Sequence, residues 1–289
     1  MMLGTVYAAA TLLLAVSVML FAARADWRTR EVSDRYWDVL VLGGTVLFVV
    51  FALTTAGPRW DLMLGAAAAL TAWTAVRLDS NQFSALTALA AAALTTTVLI
   101  WGPRDRLSLA IATVPIMTLV YVFFYILGML RGGADAKGLI ALSAAVPLYP
   151  VLGVCPLFPV PAALAEVFVF SLSVLFMAAL GTLLAMPYCL WRNRHGPDRG
   201  LRRLSGWRMP LTVAEKAFVW PAEDVRDGQI VYVRECADEE MPAVYGRLRY
   251  AGATDVFVMP MVPFLVPIAG AVLFVAVIGS PFTLFGLLL

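Results

Sequence analysis

Residues 107–130 read LSLAIATVPIMTLVYVFFYILGML, and residues 131–137, directly after them, read RGGADAK. The first stretch carries no charged side chain and exceeds the ~20 apolar residues that a helix needs to cross a bilayer. The second is polar, rich in glycine and holds one acid. Runs like the first recur at 3–23, 36–56, 62–78, 83–101, 136–152, 163–190 and 260–288. The whole chain of 289 residues is 62% hydrophobic and only 14% charged, whereas soluble domains carry about 25% charged residues. A water-soluble fold has no means of hiding that much apolar surface. The expected class is an all-α polytopic membrane protein of about eight transmembrane helices. No basic residue precedes the run at 3–23, so it reads as a retained first helix rather than a cleaved signal.

The composition changes between Trp191 and about Met259, where Arg, Asp and Glu accumulate. This stretch is too polar to span and long enough to fold into a small module. Ile230 to Glu235, entered by the turn signal Asp227-Gly228, reads as a strand, and Tyr245 to Tyr250 and Asp255 to Met259 read as two more. A short antiparallel sheet is expected, with the basic run from Trp191 to Arg208 lying along lipid headgroups. The organisation is therefore a transmembrane core over 1–190, a β-containing module over 191–258 and a final helix over 259–289. Cys155, Cys189 and Cys236 are widely spaced and form no Cys-x-x-Cys pair, and His195 is the only histidine. Neither a disulfide framework nor a metal site is expected, nor a His-based triad, and no cofactor is implied.

The basic residues set the orientation. With the segment after the first run placed inside, the outer loops hold only Arg59, Arg104 and Arg106, and all other Lys and Arg fall on the inner side. The expected location is the plasma membrane, multi-pass, with the N-terminus outside and the polar module cytoplasmic. Asp26, closing the first run, and Asp135, opening the sixth, then share the cytoplasmic face, because four runs separate them. Charged residues at span ends are commonly headgroup anchors. An acid at the edge of hydrocarbon is nevertheless costly and a candidate for function, and Gly132 and Gly133 beside Asp135 permit close backbone approach or a hinge.

Gly132-Gly133-Ala134-Asp135-Ala136-Lys137 resembles the Gly-x-hydrophobic-Asp motif of archaeal preflagellin and prepilin peptidases, membrane aspartic enzymes related to the wider GxGD group. The segment Asp26-Trp27-Arg28-Thr29-Arg30-Glu31-Val32-Ser33-Asp34, running into Tyr36-Trp37, is similar to that family's other aspartate segment. Val258-Met259-Pro260 through Pro263-Phe264-Leu265-Val266-Pro267 resembles its proline-bounded approach to the last span. This chain departs from the pattern in having a longer stretch between the aspartates, by one helical pair. It also lacks the Cys-x-x-Cys pairs of many bacterial members.

The resemblance implies an aspartic endopeptidase that cleaves leader peptides of archaellin- or type IV pilin-like precursors at the cytoplasmic face, with Asp26 and Asp135 catalytic. Two nearby carboxylates share one proton, so that one activates water and the other polarises the scissile carbonyl. Helix ends favour Asp135, beside Lys137, as the anion and Asp26 as the acid. The implied partners are precursor proteins with basic leaders, together with membrane lipid and no nucleic acid. Glu31, Asp34 and Asp38 are placed to receive the leader's positive charge, and Lys137 to assist the pair or bind substrate. The rival expectations are a proton- or cation-coupled transporter using the same two aspartates, and an inactive membrane scaffold. Transport sites usually lie near the midplane, whereas both acids here sit at one interface.

Overall fold

A computed structural model describes residues 2–55, 59–77, 106–130, 132–160, 169–194, 200–233, 236 and 240–283, with isolated positions between 78 and 105. The chain is mostly helical with a small sheet region, and it divides into two units, Met1–Gly181 with Pro263–Leu289, and Thr182–Val262. Among the described residues, four helical stretches are long and apolar enough to cross a membrane: Leu3–Thr29, Arg35–Thr54, Ser108–Ile126 and Phe170–Arg192. Their outward faces carry exposed apolar side chains such as Leu13, Phe21, Val46, Leu53 and Phe123. Apolar surface on that scale is not left to water by soluble proteins. This is a membrane protein.

The first unit contains α1 (Met2–Thr29), α2 (Arg35–Thr54), α3 (Arg59–Arg77), α4 (Arg106–Ile126), α5 (Gly133–Ala145), α6 (Phe170–Thr182) and the late α10 (Leu265–Val277). The apolar run expected at 83–101 lies almost wholly outside the described residues. α1 continues past its apolar run, so Arg24, Asp26 and Arg28 belong to the helix and Asp26 lies in its last turn. α5 and α10 are only 13 residues each, about 20 Å at 1.5 Å per residue. α5 stops at Ala145 because Val146 precedes Pro147, and the residue before proline is pushed out of helical geometry. The extended chain beyond it returns to α10. Leu157 and Phe158 donate their N–H groups to the carbonyls of Val277 and Ile278 at 3.0 and 2.8 Å, satisfying acceptors that the end of a helix leaves open.

Small residues set the helix crossings, as expected where van der Waals fit replaces the hydrophobic drive. A Cβ on Gly44 of α2 would stand 2.5 Å from the Cα of Ala145 on α5, and one on Gly138 of α5 would press on Trp37 of α2 and Leu265 of α10. Hydroxyls add directional ties. Tyr121 of α4 donates to Ser171 of α6 at 2.8 Å, and Ser171 lies 2.8 Å from Ser143 of α5. α5 is buried on nearly every side and forms the axis of the bundle.

The second unit opens with α7 (Ala185–Arg192) and a 3-10 turn, Leu201–Leu204. It continues through β1 (Trp207–Pro210), the short α8 (Leu211–Ala214), β2 (Val219–Pro221), β3 (Glu223–Arg226), β4 (Gln229–Tyr232), α9 (Met241–Tyr250) and β5 (Asp255–Pro260). β5 is the middle strand of an antiparallel β1-β5-β2 sheet, with Trp207 opposite Val258 and Val219 opposite Pro260. β3 and β4 form a hairpin through Asp227-Gly228, whose φ values of 51° and 73° suit a tight two-residue turn. The expected strands at Ile230 and Asp255 are present, although Arg234 and Glu235 lie outside the described residues. The expected strand at Tyr245–Tyr250 is instead the last part of α9. Pro242 stands in its first turn, and Val244, Tyr245 and Leu248 bury one helical face. The basic run Trp191–Arg208 is partly built into this unit: Arg203 donates to the carbonyl of Asn193, whose side-chain amide donates to Cys189 and Arg203 carbonyls.

Candidate active site

The site lies within the first unit, where three chain segments meet. The first is the end of α1. Asp26 is half-buried there, and one of its oxygens, Oδ2, accepts a hydrogen bond from the backbone N–H of Leu265 at 3.3 Å. Leu265 is the first residue of α10, so a free N–H of that helix, with its partial positive charge, faces the carboxylate. Arg30 sits close enough for its charge to act on Asp26. It holds a left-handed backbone, φ 59°, where the chain leaves α1.

The second segment is the start of α5. Gly132 is the N-cap and Asp135 the third helical residue, only 9% exposed. Its carboxylate folds back to accept from the Gly132 N–H, the reciprocal half of a capping box. A Cβ on Gly132 would collide with that carboxylate. Neither Gly132 nor Gly133 has a positive φ. What Gly132 supplies is room. Asp135 and Asp26 lie near enough for their charges to interact. The proline-bounded stretch around Leu265 is the third segment, so all three quoted motifs converge.

The remaining candidates divide. Lys137 donates to both carboxylate oxygens of Asp34, at 2.9 and 2.8 Å, so these two bind each other. Asp38 accepts from Arg77, and from the Trp73 indole at 3.1 Å. Glu31 is exposed in the α1–α2 connection. Sequence reasoning missed two contributors. Arg30 lies four residues after Asp26, just past the end of α1, where its N–H donates to the Asp26 carbonyl at 3.1 Å, and that nearness in sequence was a legible signal. The Leu265 N–H is backbone and leaves no trace in residue type. Asp135 stands in the first turn of α5 as expected, Lys137 is engaged by Asp34, and Asp26 also faces a helix N-terminus, that of α10. No family model, characterised protein or solved structure matches the chain.

Proposed function

We propose that the chain is a membrane-embedded aspartic endopeptidase that cleaves the leader segments of archaellin- or type IV pilin-like precursors at the cytoplasmic membrane face. The supporting observation is that Asp26 and Asp135, from distant parts of the chain, lie near enough for their charges to interact, at the ends of two helices of one bundle. Two carboxylates within each other's field cannot both ionise easily and share a proton. The ionised member takes a proton from water as the oxygen attacks the scissile carbonyl carbon. The protonated member donates to the carbonyl oxygen. Collapse of the tetrahedral intermediate breaks the C–N bond, and the leaving nitrogen takes up a proton. Leu265 N–H and Arg30 supply Asp26 with what stabilises a carboxylate anion, which fits it for the base. Asp135, more buried, is then the acid. The distribution of Lys and Arg supports a cytoplasmic position for this face and for the polar second unit, within the eight-span topology expected from the sequence. Exposed Glu31 is positioned to meet a basic leader.

Cleavage of a leader-bearing pilin or archaellin in membranes tests the reading, with wild type compared against Asp26→Asn and Asp135→Asn at matched expression. Each substitution is expected to lower the rate by about 10²–10⁴-fold, the usual weight of a general acid or base. Wild-type rates in either variant would exclude a two-aspartate mechanism. Transport of protons or cations in place of cleavage would turn the same residues to the rival role.

A further inference from the structure

α1, which carries Asp26, lies mainly against α2 and α10, while α5, which carries Asp135, lies mainly against α2 and α4. The two carboxylates therefore stand on helices with little direct contact, and intermediaries set their separation. α10 is one: its Leu265 N–H holds Asp26, and the Leu265 side chain rests against Gly138, one turn beyond Asp135. The start of α2 is the other. Asp34 occupies the N-cap position of α2, where an aspartate ordinarily accepts from its own helix's N–H groups. It makes no such bond. Both oxygens are turned across to Lys137, in the same turn of α5 as Asp135. Arg30, in the same short connection as Asp34, is held near Asp26 at the other end. The connection is thus anchored beside one aspartate and tied to the helix of the other.

We propose that the Asp34–Lys137 ion pair is a positioning clamp that fixes the spacing of Asp26 and Asp135 by tying the α1–α2 connection to the first turn of α5. Its effect on cleavage rests on the peptidase reading; its effect on spacing does not. Both residues thereby act through the aspartates and not on substrate. The side chains of the pair are 27% and 37% exposed, and ion pairs at that exposure contribute little to stability. Misplacement of reacting groups by about 1 Å, in contrast, costs about a hundredfold in rate. Breaking the clamp should therefore spare the fold and damage the chemistry.

The test has two arms on the full-length protein in membranes. In the first, Lys137→Met and Asp34→Asn each lower kcat about a hundredfold with KM unchanged, and the exchange Asp34→Lys with Lys137→Asp recovers most of the loss. A raised KM with kcat intact, or an exchange that rescues nothing, would overturn the clamp in favour of direct substrate binding. The second arm reads spacing without activity. Asp26→Cys and Asp135→Cys are combined with Cys155→Ser, Cys189→Ser and Cys236→Ser, then cross-linked with thiol reagents of graded length. One narrow optimum is expected, broadening or shifting when Lys137→Met is added. An unchanged length profile would overturn the clamp whatever the cleavage assay gives. A broadened profile alongside a wild type that cleaves no leader would sustain the clamp and remove the peptidase reading.

Discussion

Gly132 and Gly133 are adjacent and chemically identical, yet only one of them stands where a side chain is forbidden. A methyl group on Gly132 would enter the space of the Asp135 carboxylate, whereas one on Gly133 would meet atoms of Tyr125 at 3.9 Å, an ordinary contact. Gly132→Ala is therefore expected to cut cleavage about a hundredfold, by displacing the carboxylate on the order of 1 Å. Gly133→Ala, at the first position of a helix, should leave cleavage near wild type and hold or raise thermal stability. Equal losses in both would refute the idea that room for Asp135 is what matters. At this scale the sequence was most informative where charge met hydrocarbon. Asp26 and Asp135 stood out because an acid at that boundary is costly. Asp34 and Lys137 stood out as neighbours, but their mutual bond did not, since it joins residues distant in the chain. The donor on Leu265 was illegible because every residue except proline has one.

Among the elements, the apolar runs at 3–23, 36–56, 107–130 and 163–190 coincide with the described helices long and apolar enough to cross, but the ends of helices were misjudged. α1 runs on through Arg24, Asp26 and Arg28 because long basic side chains reach the interface while the backbone stays helical. α5 ends early because Pro147 follows Val146. Tyr245–Tyr250 alternates like a strand, yet the burial of Val244, Tyr245 and Leu248 follows the helical period, and Pro242 fits a helix start. Crossings are sharper tests of the packing. On α2, a Cβ on Gly43 would meet only the tip of the Leu14 side chain, at 2.9 Å, while one on Gly44 would meet the backbone of Ala145. A side-chain tip can rotate away, and a helix backbone cannot. Gly44→Ala should cost about 1–3 kcal/mol by overpacking, and Gly43→Ala much less, when thermal unfolding is followed in detergent. A Gly44→Ala protein as stable as wild type would mean that α2 and α5 cross less closely than described.

At the scale of the whole molecule, the second unit carries a carboxylate that ties its stability to pH. In the second unit Arg247 donates twice to Asp224, at 2.8 Å each, and this holds the Asp224 carboxyl below its ordinary range. A carboxylate depressed in the folded state contributes stability in full above its unfolded pKa of about 3.9, and loses that contribution as pH falls through the lower folded value. Hydrogen-exchange protection in the second unit, corrected for the intrinsic rate at each pH, should therefore fall below about pH 4, and Asp224→Asn should flatten that dependence while weakening the unit at neutral pH. An acid response identical in wild type and variant would rule out the pair as its source. The membrane class of the protein was legible from composition alone, since 14% charged residues leave no other solvent. The convergence of three segments on one site was not, because it depends on α10 returning to α1. That return also has a bearing on biosynthesis. Asp26 and the Leu265 N–H that holds it are 239 residues apart, so a ribosome making about 5–20 residues per second needs roughly 10–50 s to go from one to the other. Through roughly the later half of that interval both aspartates are already made, but the helix that orients the first is not. On the proposed reading, the nascent protease is inert towards its neighbours, and towards itself, until translation has passed α10.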